Sequence, residues 1–362
     1  MDHTLQLVLA GTASFFVVIL IFAAIILACR RNMKIHRTRP ATNPDISSIT
    51  VDASWSSDPQ LQISKTELAA STNNFSPDLV IDYDSFGIVY KASLSNGTTV
   101  AIKKLSPHAF QGFREFREET ETIGELRHQN IVKILGYYAS SGSETERLIV
   151  YEFPERGSLD QWLHDLSSPM NDVVQDVRLP LSWETRIKII HGVANGLCYL
   201  HQLDEPIIHG DIRASSVLLG SNFEAHIAGF GQARSFELPH TQVSTQLGYT
   251  SPEYRDGLNW ANVKVDVYSF GVLMLATATG YRPNRPLKWN NNKVGLVEWA
   301  GKMTAQNDEM RMIDSAIPKD ELSEDSVKAY FETAGLCTSE LQKDRPEMAE
   351  VLKMLGAMPM IS

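Results

Sequence analysis

The chain has 362 residues, of which 43% are hydrophobic and 21% are charged, as in an ordinary globular protein. This length allows a folded core of about two to three hundred residues with appended segments. The net charge of −10 is unevenly distributed, because one short segment holds five basic residues: Arg30, Arg31, Lys34, Arg37 and Arg39. These residues contribute +5 and Asp2 contributes −1, so residues 40–362 carry −14. Such an acidic body excludes nucleic acid as a partner, because nucleic acid requires a basic surface.

An uncharged and mostly apolar segment covers residues 5–29. Because about 20 apolar residues span a bilayer core, this segment predicts a transmembrane helix with some tilt. A cleaved signal peptide is the alternative, but it would begin with basic residues and contain a shorter apolar run. The basic residues 30–39 then stay cytoplasmic and contact the lipid bilayer. We expect a single-pass plasma-membrane protein with residues 1–4 outside, no extracellular ligand and a cytoplasmic C-terminal domain.

Residues 30–65 begin with the basic residues 30–39. Prolines, serines, threonines and aspartates follow, and they show no hydrophobic period. This composition predicts a flexible linker. Further along, alternation and turn signals predict a helix at 64–70, a charged helix at about 110–127 and β-strands at 79–81, 87–92, 98–103, 131–138 and 147–153. Asn96-Gly97 is a strong signal for a hairpin turn. The later amphipathic segments predict helices at 182–202, 263–279, 294–304 and 325–355.

Seven short motifs then follow one another in a single order. They are I-D-Y-D-S-F-G-I-V-Y-K at 81–91, V-A-I-K at 100–103, H-G-D at 209–211, G-F-G at 229–231, S-P-E at 251–253, D-V-Y-S-F-G from 266 and D-R-P at 344–346. This series resembles the signature set of the protein kinases. The residues within and around these motifs are most similar to those of the plant receptor-like kinases of the leucine-rich-repeat class. The resemblance covers residues 66–356 and implies an α+β, two-lobed kinase fold, with a small lobe over 66–153 and a large lobe over 154–356.

The resemblance also implies where a nucleotide would bind. Lys103 matches the strand lysine that contacts the phosphates, and Glu119 matches its ion-pair partner. The adenine pocket would be formed by Val89, Ala101, Tyr151, Phe153 and Leu218. In the Gly-rich loop only Gly87 remains, because Asp82 and Asp84 replace the other two glycines. Glycine lets backbone amides approach phosphate, whereas aspartate adds bulk and a like charge, so any ATP binding is expected to be weak.

The catalytic loop departs further from the family pattern. Asp211 occupies the position of the catalytic base, which we expect to be idle, and Arg213 replaces a phosphate-contacting lysine. Gly210 replaces an arginine, a change that related active kinases tolerate. Ser216 and Gly229 replace the asparagine and the aspartate that hold magnesium in the family. A glycine offers no ligand and a serine hydroxyl reaches less far, so the resemblance argues against a magnesium site.

Other matching residues belong to the scaffold of the fold. His209, Phe230, Ile123 and Asp266 match positions that stack or anchor the two lobes. Glu253 and Arg345 match a buried ion pair of the large lobe. The sequence therefore keeps the scaffold residues of a kinase and loses its metal ligands.

Three functions stay open at this point. The first, which we favour, is a pseudokinase, not an enzyme, that is a scaffold or allosteric partner of active receptor kinases or of their substrates at the membrane. The second is an active Ser/Thr kinase with atypical metal use that transfers phosphate from ATP to protein. The third is a chain without a stable fold. Thr241, Ser244 and Thr245 lie in the activation segment, where another kinase would find exposed hydroxyls.

Overall fold

The chain divides into two units, Met1–Asp45 and Ile46–Ser362, and all described residues belong to the second. The computed structural model describes residues 53–56, 63–83, 87–106, 116–117, 119–121, 123–140, 146–165, 179–235, 247–255 and 262–359. Among these residues, no helix has the length and apolar character needed to cross a membrane. The predicted span at 5–29, the basic residues 30–39, Asp84 and the three activation-segment hydroxyls lie outside the described residues.

The small lobe is built on an antiparallel sheet of six strands in the order β1-β5-β6-β4-β3-β2. These are β1 (Ala53–Ser56), β2 (Val80–Tyr83), β3 (Gly87–Ser93), β4 (Thr99–Leu105), β5 (Ile134–Ala139) and β6 (Arg147–Glu152). The predicted turn between β3 and β4 is confirmed: Gly97 has a φ of 84°, and the Gly97 amide donates to the Leu94 carbonyl at 2.9 Å. Helix α1 (Lys65–Ser71) precedes the sheet strands β2 to β6, and the Ser64 side chain caps it.

Strand β1 corrects the prediction of a flexible linker over 30–65. Ala53–Ser56 pairs along β5, with Ala53 opposite Ala139 and Ser56 opposite Gly136. Sequence patterning missed it because four residues among serines and aspartates give too short an alternation. The pairing is stabilised by the backbone groups that an edge strand such as β5 leaves unpaired.

The large lobe is mostly helical. Its helices are α2 (Leu159–His164), α3 (Trp183–His201), α4 (Pro252–Arg255), α5 (Val263–Thr279), α6 (Leu296–Thr304), α7 (Glu324–Cys337) and α8 (Met348–Gly356). Its described strands form three antiparallel pairs: β7 (Ile207–Ile208) with β10 (Arg234–Ser235), β8 (Val217–Leu219) with β9 (Ala225–Ile227), and β11 (Leu287–Trp289) with β12 (Asn292–Val294). Helix α5 is apolar around its whole circumference and nearly every residue is buried, so it forms the centre of the lobe.

The single helix predicted over 325–355 is wrong, because α7 and α8 are separate. Helix α7 ends at Cys337, and a short 3-10 helix, Gln342–Asp344, lies between it and Met348. Pro346 prevents a helix from continuing through this segment into α8, since proline cannot donate to the helix and keeps the preceding residue extended; Arg345 has ψ 134°. The two-lobed kinase architecture predicted from the motifs is otherwise confirmed in the described residues.

The predicted buried ion pair of the large lobe is also confirmed. Arg345 donates from both Nη atoms to the two carboxylate oxygens of Glu253, each at 2.8 Å, and both residues are buried. The Arg345 guanidinium also lies 4.9 Å from the ring centre of Tyr268. Although burial raises the pKa of Glu253, the hydrogen bond from Arg345 holds that pKa below its ordinary value. The pair joins α4 to the segment between α7 and α8.

We predict that Glu253→Gln destabilises the chain by about 3–5 kcal/mol, because Arg345 is then left buried without a counter-charge. The control is Glu298→Gln, which removes an exposed pair with Lys302 and is expected to cost under about 0.5 kcal/mol. Because the Glu253 pKa is lowered on folding, its contribution is complete above about pH 4.3 and is lost as the pH falls further. Urea unfolding at several pH values checks both points; equal losses for the two variants would contradict the prediction.

Candidate functional site

The residues predicted to form the adenine pocket lie together at the junction of the two lobes. Ala101 on β4 is directly opposite Tyr151 on β6, and both are buried in the main apolar core. Val89, Phe153 and Leu218 are partly buried and pack against the same core. These five residues, called the apolar slot below, therefore share one apolar core between the sheet of the small lobe and strand β8.

Lys103 and Glu119 form the predicted ion pair. The Nζ atom of Lys103 lies 3.2 Å from Oε2 of Glu119, and the two residues are only 3% and 1% exposed. Lys103 is on β4, opposite Val89 of β3, so its side chain shares the face that carries the apolar slot. The pair joins the sheet to the helical residues around Glu119, and it would stabilise the small lobe with or without a nucleotide.

Gly87, predicted to bind a nucleotide phosphate, has a second role in the sheet. A Cβ atom at this position would lie 2.3 Å from the carbonyl oxygen of Lys104 on the neighbouring strand. Glycine is therefore required here by the packing of β3 on β4. Asp82 has no such constraint: it is exposed, lies opposite Val89, and its carboxylate accepts a hydrogen bond from the Tyr83 amide at 2.8 Å. The loop thus retains glycine where the sheet needs it and has a carboxylate at the edge of the slot.

The catalytic loop is fixed by the buried carboxylate of Asp266 on α5. The backbone amides of His209 and Gly210 donate to its two oxygens, each at 2.8 Å. Nε2 of His201 lies 3.0 Å from the same carboxylate, a contact that the sequence did not predict. Burial alone would raise the pKa of Asp266, but the bond from His201 and the nearby histidines hold it below its ordinary value. Asp266 therefore fixes the backbone of the catalytic loop, whereas the resemblance had implied only a position that stacks or anchors the two lobes.

Phe230 and His209 also occupy their predicted scaffold positions. Their rings meet edge to face with centroids 4.6 Å apart, and both side chains are completely buried. Nε2 of His209 lies 3.0 Å from the Ala228 carbonyl oxygen. Burial lowers the pKa of His209 below its ordinary value. Ile123 is buried in the same core.

Asp211, at the position of the catalytic base, is engaged within the loop itself. Nε of Arg213 donates to Oδ2 of Asp211 at 3.0 Å, a bond that spacing alone could not predict. The Ser216 hydroxyl donates to the Arg213 carbonyl and accepts from the Arg213 amide, both at 2.9 Å. Ser216 thus satisfies backbone groups of its own turn and fixes the residue that pairs with Asp211.

Gly229 stands beside Ser216 at the other position where the family holds magnesium. Its φ is 81°, in the left-handed region that glycine adopts readily. A Cβ atom built here would have one close neighbour, the Cβ of Ser216 at 3.7 Å. The position has room for a side chain, yet it supplies no oxygen ligand. With Gly229 lacking a side chain and Ser216 bonded to the backbone, the two positions do not fit a magnesium ion.

A hinge contact that the sequence analysis missed lies at the edge of the slot. Glu152 accepts a hydrogen bond from the Lys133 amide at 2.9 Å, and Nδ1 of His226 lies 3.5 Å from the same oxygen. Burial raises the pKa of Glu152, but the nearby His226 ring and the bond from the Lys133 amide hold that pKa below its ordinary value. The contact joins β6 to β9 across the two lobes. Residues so far apart in the chain carry no local signal of this pairing.

Comparison with known proteins assigns the family. The family model described as "Protein tyrosine and serine/threonine kinase" matches residues 78–355. Phytosulfokine receptor 2 of Arabidopsis thaliana is 39% identical over 83% of this chain and 28% of its own length. The leucine-rich repeat receptor protein kinase EMS1 of the same plant is 37% identical over 85% of this chain and 25% of its own length. Cysteine-rich receptor-like protein kinase 25, also from Arabidopsis thaliana, is 35% identical over 92% of this chain and 47% of its own length.

The site and these relatives define a protein-kinase domain. The chain belongs to the protein kinase family, within the group of plant receptor-like kinases. It spans between about a quarter and a half of the length of the relatives named above.

We predict that Lys103→Met destabilises the chain by about 3–5 kcal/mol without any nucleotide, because Glu119 is left as a buried unpaired charge. The double variant Lys103→Met/Glu119→Leu should recover most of that loss, since both charges are removed together. Urea unfolding of the parent, both single variants and the double variant forms a complete cycle. Additive losses would show that the pair does not carry this energy.

We predict that Ser216→Ala lowers the free energy of unfolding by about 1–3 kcal/mol, because the Arg213 amide loses its partner and the Arg213 carbonyl keeps only the bond from the Ser216 amide. Ser215→Ala is the matched control, since the neighbouring Ser215 side chain is only partly buried. Chemical denaturation of the two variants measures the difference. A loss for Ser215→Ala as large as that for Ser216→Ala would contradict the assignment.

Proposed function

We propose that this chain is a membrane-anchored receptor-like pseudokinase, which acts as a scaffold or allosteric partner of active receptor kinases. The observation that carries the proposal is the state of the two metal-ligand positions. Gly229 has no side chain, and the Ser216 hydroxyl is already bonded to the Arg213 backbone. Phosphoryl transfer depends on metal ions that bridge and neutralise the phosphates, and these residues offer no ligands for them.

Weak nucleotide binding is a separate part of the proposal. The apolar slot of Val89, Ala101, Tyr151, Phe153 and Leu218 supports entry of an adenine ring, and Lys103 supports contact with phosphate. Opposing this, Asp82 places a carboxylate opposite Val89 at the edge of the slot. Like charges about 4 Å apart repel by about 1 kcal/mol in water and by about 4 kcal/mol at an effective dielectric constant of 20. We therefore expect ATP to bind weakly and without magnesium.

The proposed membrane location and partners are supported by the sequence and by the names of the relatives. The apolar segment 5–29 and the basic residues 30–39 support a single-pass anchor with the kinase-like domain in the cytoplasm. The relatives are named as receptors or receptor-like kinases, which supports other receptor kinases or their substrates as partners. Anchoring in the same membrane raises the effective concentration of such partners without any new contact.

An active Ser/Thr kinase with atypical metal use is the second candidate. Its support is the retained pair of Lys103 with Glu119 and the presence of Asp211 at the position of the base. Against it, the Asp211 carboxylate is bonded to Arg213, which competes with any substrate hydroxyl for this acceptor. We favour the first candidate because two metal ligands are missing together.

We predict that Ser216→Asn/Gly229→Asp creates magnesium-dependent ATP binding that the parent chain lacks. The space around Gly229 admits a carboxylate, and aspartate tolerates the left-handed backbone better than most residues. In a thermal unfolding titration with ATP, the variant should gain stability only when magnesium is present, by about 2–4 °C for each kcal/mol of binding energy. The parent should show no magnesium-dependent shift.

A direct phosphorylation assay decides between the two candidates. The parent chain is incubated with radiolabelled ATP and magnesium or manganese, and the Asp211→Asn variant is the control. We expect equal background labelling of both. Labelling of the parent that disappears in Asp211→Asn would overturn the pseudokinase proposal and establish the active kinase.

A further inference from the structure

The hairpin of β11 and β12 places two lysines side by side on its outer surface. Lys288 and Lys293 are directly opposite each other across the strands, and both are exposed. The register is fixed by a two-residue turn, Asn290-Asn291, with φ values of 45° and 64°. On the other face, Leu287 and Trp289 pack against the core. Because the other face packs against the core, the two lysine side chains face solvent. Directly opposed residues of an antiparallel pair have Cβ atoms about 4.5–5.5 Å apart, so the two lysines are close neighbours.

The surroundings of this lysine pair are basic as well. Residues 281–297 contain four basic residues and no aspartate or glutamate, although residues 40–362 as a whole carry −14. Arg282 is neutralised by Asp160 at 3.3 Å. Within the described part of the chain, Arg285, Lys288 and Lys293 form no ion pair. Like charges directly opposite each other destabilise a hairpin, so the fold gains nothing from this arrangement.

The hairpin is connected to the end of the activation segment. Gly248 lies so close to Pro283 that an added Cβ would be 2.5 Å from the Pro283 carbonyl carbon, and Gly248 has a φ of 100°. Pro283 is only four residues before β11. A partner segment bound to the hairpin would thus lie within a few residues of the Gly248–Pro283 contact, at the described end of the activation segment.

We propose that Arg285, Lys288 and Lys293 form a docking surface for a phosphorylated segment of a partner protein. Two ammonium groups held on adjacent strands can both reach one phosphate dianion, and the arginine adds a planar donor beside them. The surface deepens the proposed scaffold function, on which it rests for the nature of the partner, by naming the chemistry that the partner presents. The binding itself requires no catalysis by this chain.

A phosphorylated segment fits this surface better than an anionic membrane. The apolar residues of the hairpin, Leu287, Trp289 and Val294, are turned to the core, so none is available to enter a bilayer.

The test uses the full-length chain in a neutral detergent and a short fluorescent peptide that carries two phosphothreonines among glycines and serines. Fluorescence anisotropy, measured without nucleotide, gives the affinity of the phosphorylated peptide and of its unphosphorylated form. The hairpin variant is Lys288→Glu/Lys293→Glu, which keeps a like-charge pair and therefore the cross-strand repulsion. The control is Lys328→Glu/Lys343→Glu, which changes the net charge equally at two exposed lysines elsewhere in the large lobe. Thermal unfolding shows that both variants remain folded.

We expect the hairpin variant to bind the phosphorylated peptide at least about tenfold more weakly than the parent, and the control to stay within about twofold. The unphosphorylated peptide should bind at least about tenfold more weakly to the parent. Equal losses in the two variants, no preference for the phosphorylated peptide, or no binding would overturn the proposal. The proposal would also be overturned if the chain binds no peptide but sediments with phosphatidylserine vesicles, and if this sedimentation is lost in the hairpin variant. The surface would then be a membrane contact. Because no nucleotide is present, these outcomes are independent of whether the chain transfers phosphate.

Discussion

The catalytic loop depends on one buried carboxylate, that of Asp266. Two backbone amides, from His209 and Gly210, and the ring of His201 converge on it from separate segments of the large lobe. Because the bonds to the loop are made by its backbone, the side chain at 210 is not needed to hold it. Gly210 has a φ of 78°, a conformation that glycine adopts without strain. The position of Asp211 is therefore set by the fold and says little about whether Asp211 is used.

The scaffold and the metal site have different physical requirements in this fold. The pairs Lys103–Glu119 and Glu253–Arg345 are buried, so losing one member would leave an unpaired charge in the interior. Gly229 and Ser216 carry no charge, so neither position needs a buried ion-pair partner. The Ser216 hydroxyl is satisfied inside its own turn, and Gly229 supplies no buried polar group. A kinase domain can thus lose its metal ligands and keep a well-packed interior.

The sequence predicted most of the architecture but fewer of the contacts within the site. The long apolar period at 263–279 coincides with α5, and Asn96-Gly97 marks the hairpin turn, because both signals are local. The two buried ion pairs were accessible through the resemblance alone, since their members are distant in the chain. Strand β1 was missed because it depends on the free edge of β5 and not on its own pattern. The bond of Arg213 to Asp211 and the hinge contact of His226 with Glu152 depend on side-chain orientation, which no spacing rule contains.

Gly87 illustrates why a retained kinase residue is weak evidence for kinase chemistry. In the resemblance it is the last glycine of a phosphate-binding loop, yet the backbone of Lys104 on β4 already forbids a side chain there. Asp82, at another glycine position of the same loop, is exposed and meets no such obstacle. In this loop, glycine is present at position 87, where the packing of the sheet requires it. It is absent at position 82, where only phosphate binding would require it. Gly229 differs, because there is space for a Cβ atom but its φ of 81° lies in the left-handed region, so the backbone itself favours glycine there. A retained residue therefore informs about chemistry only where the fold does not already require it, and Gly87 is required by the fold.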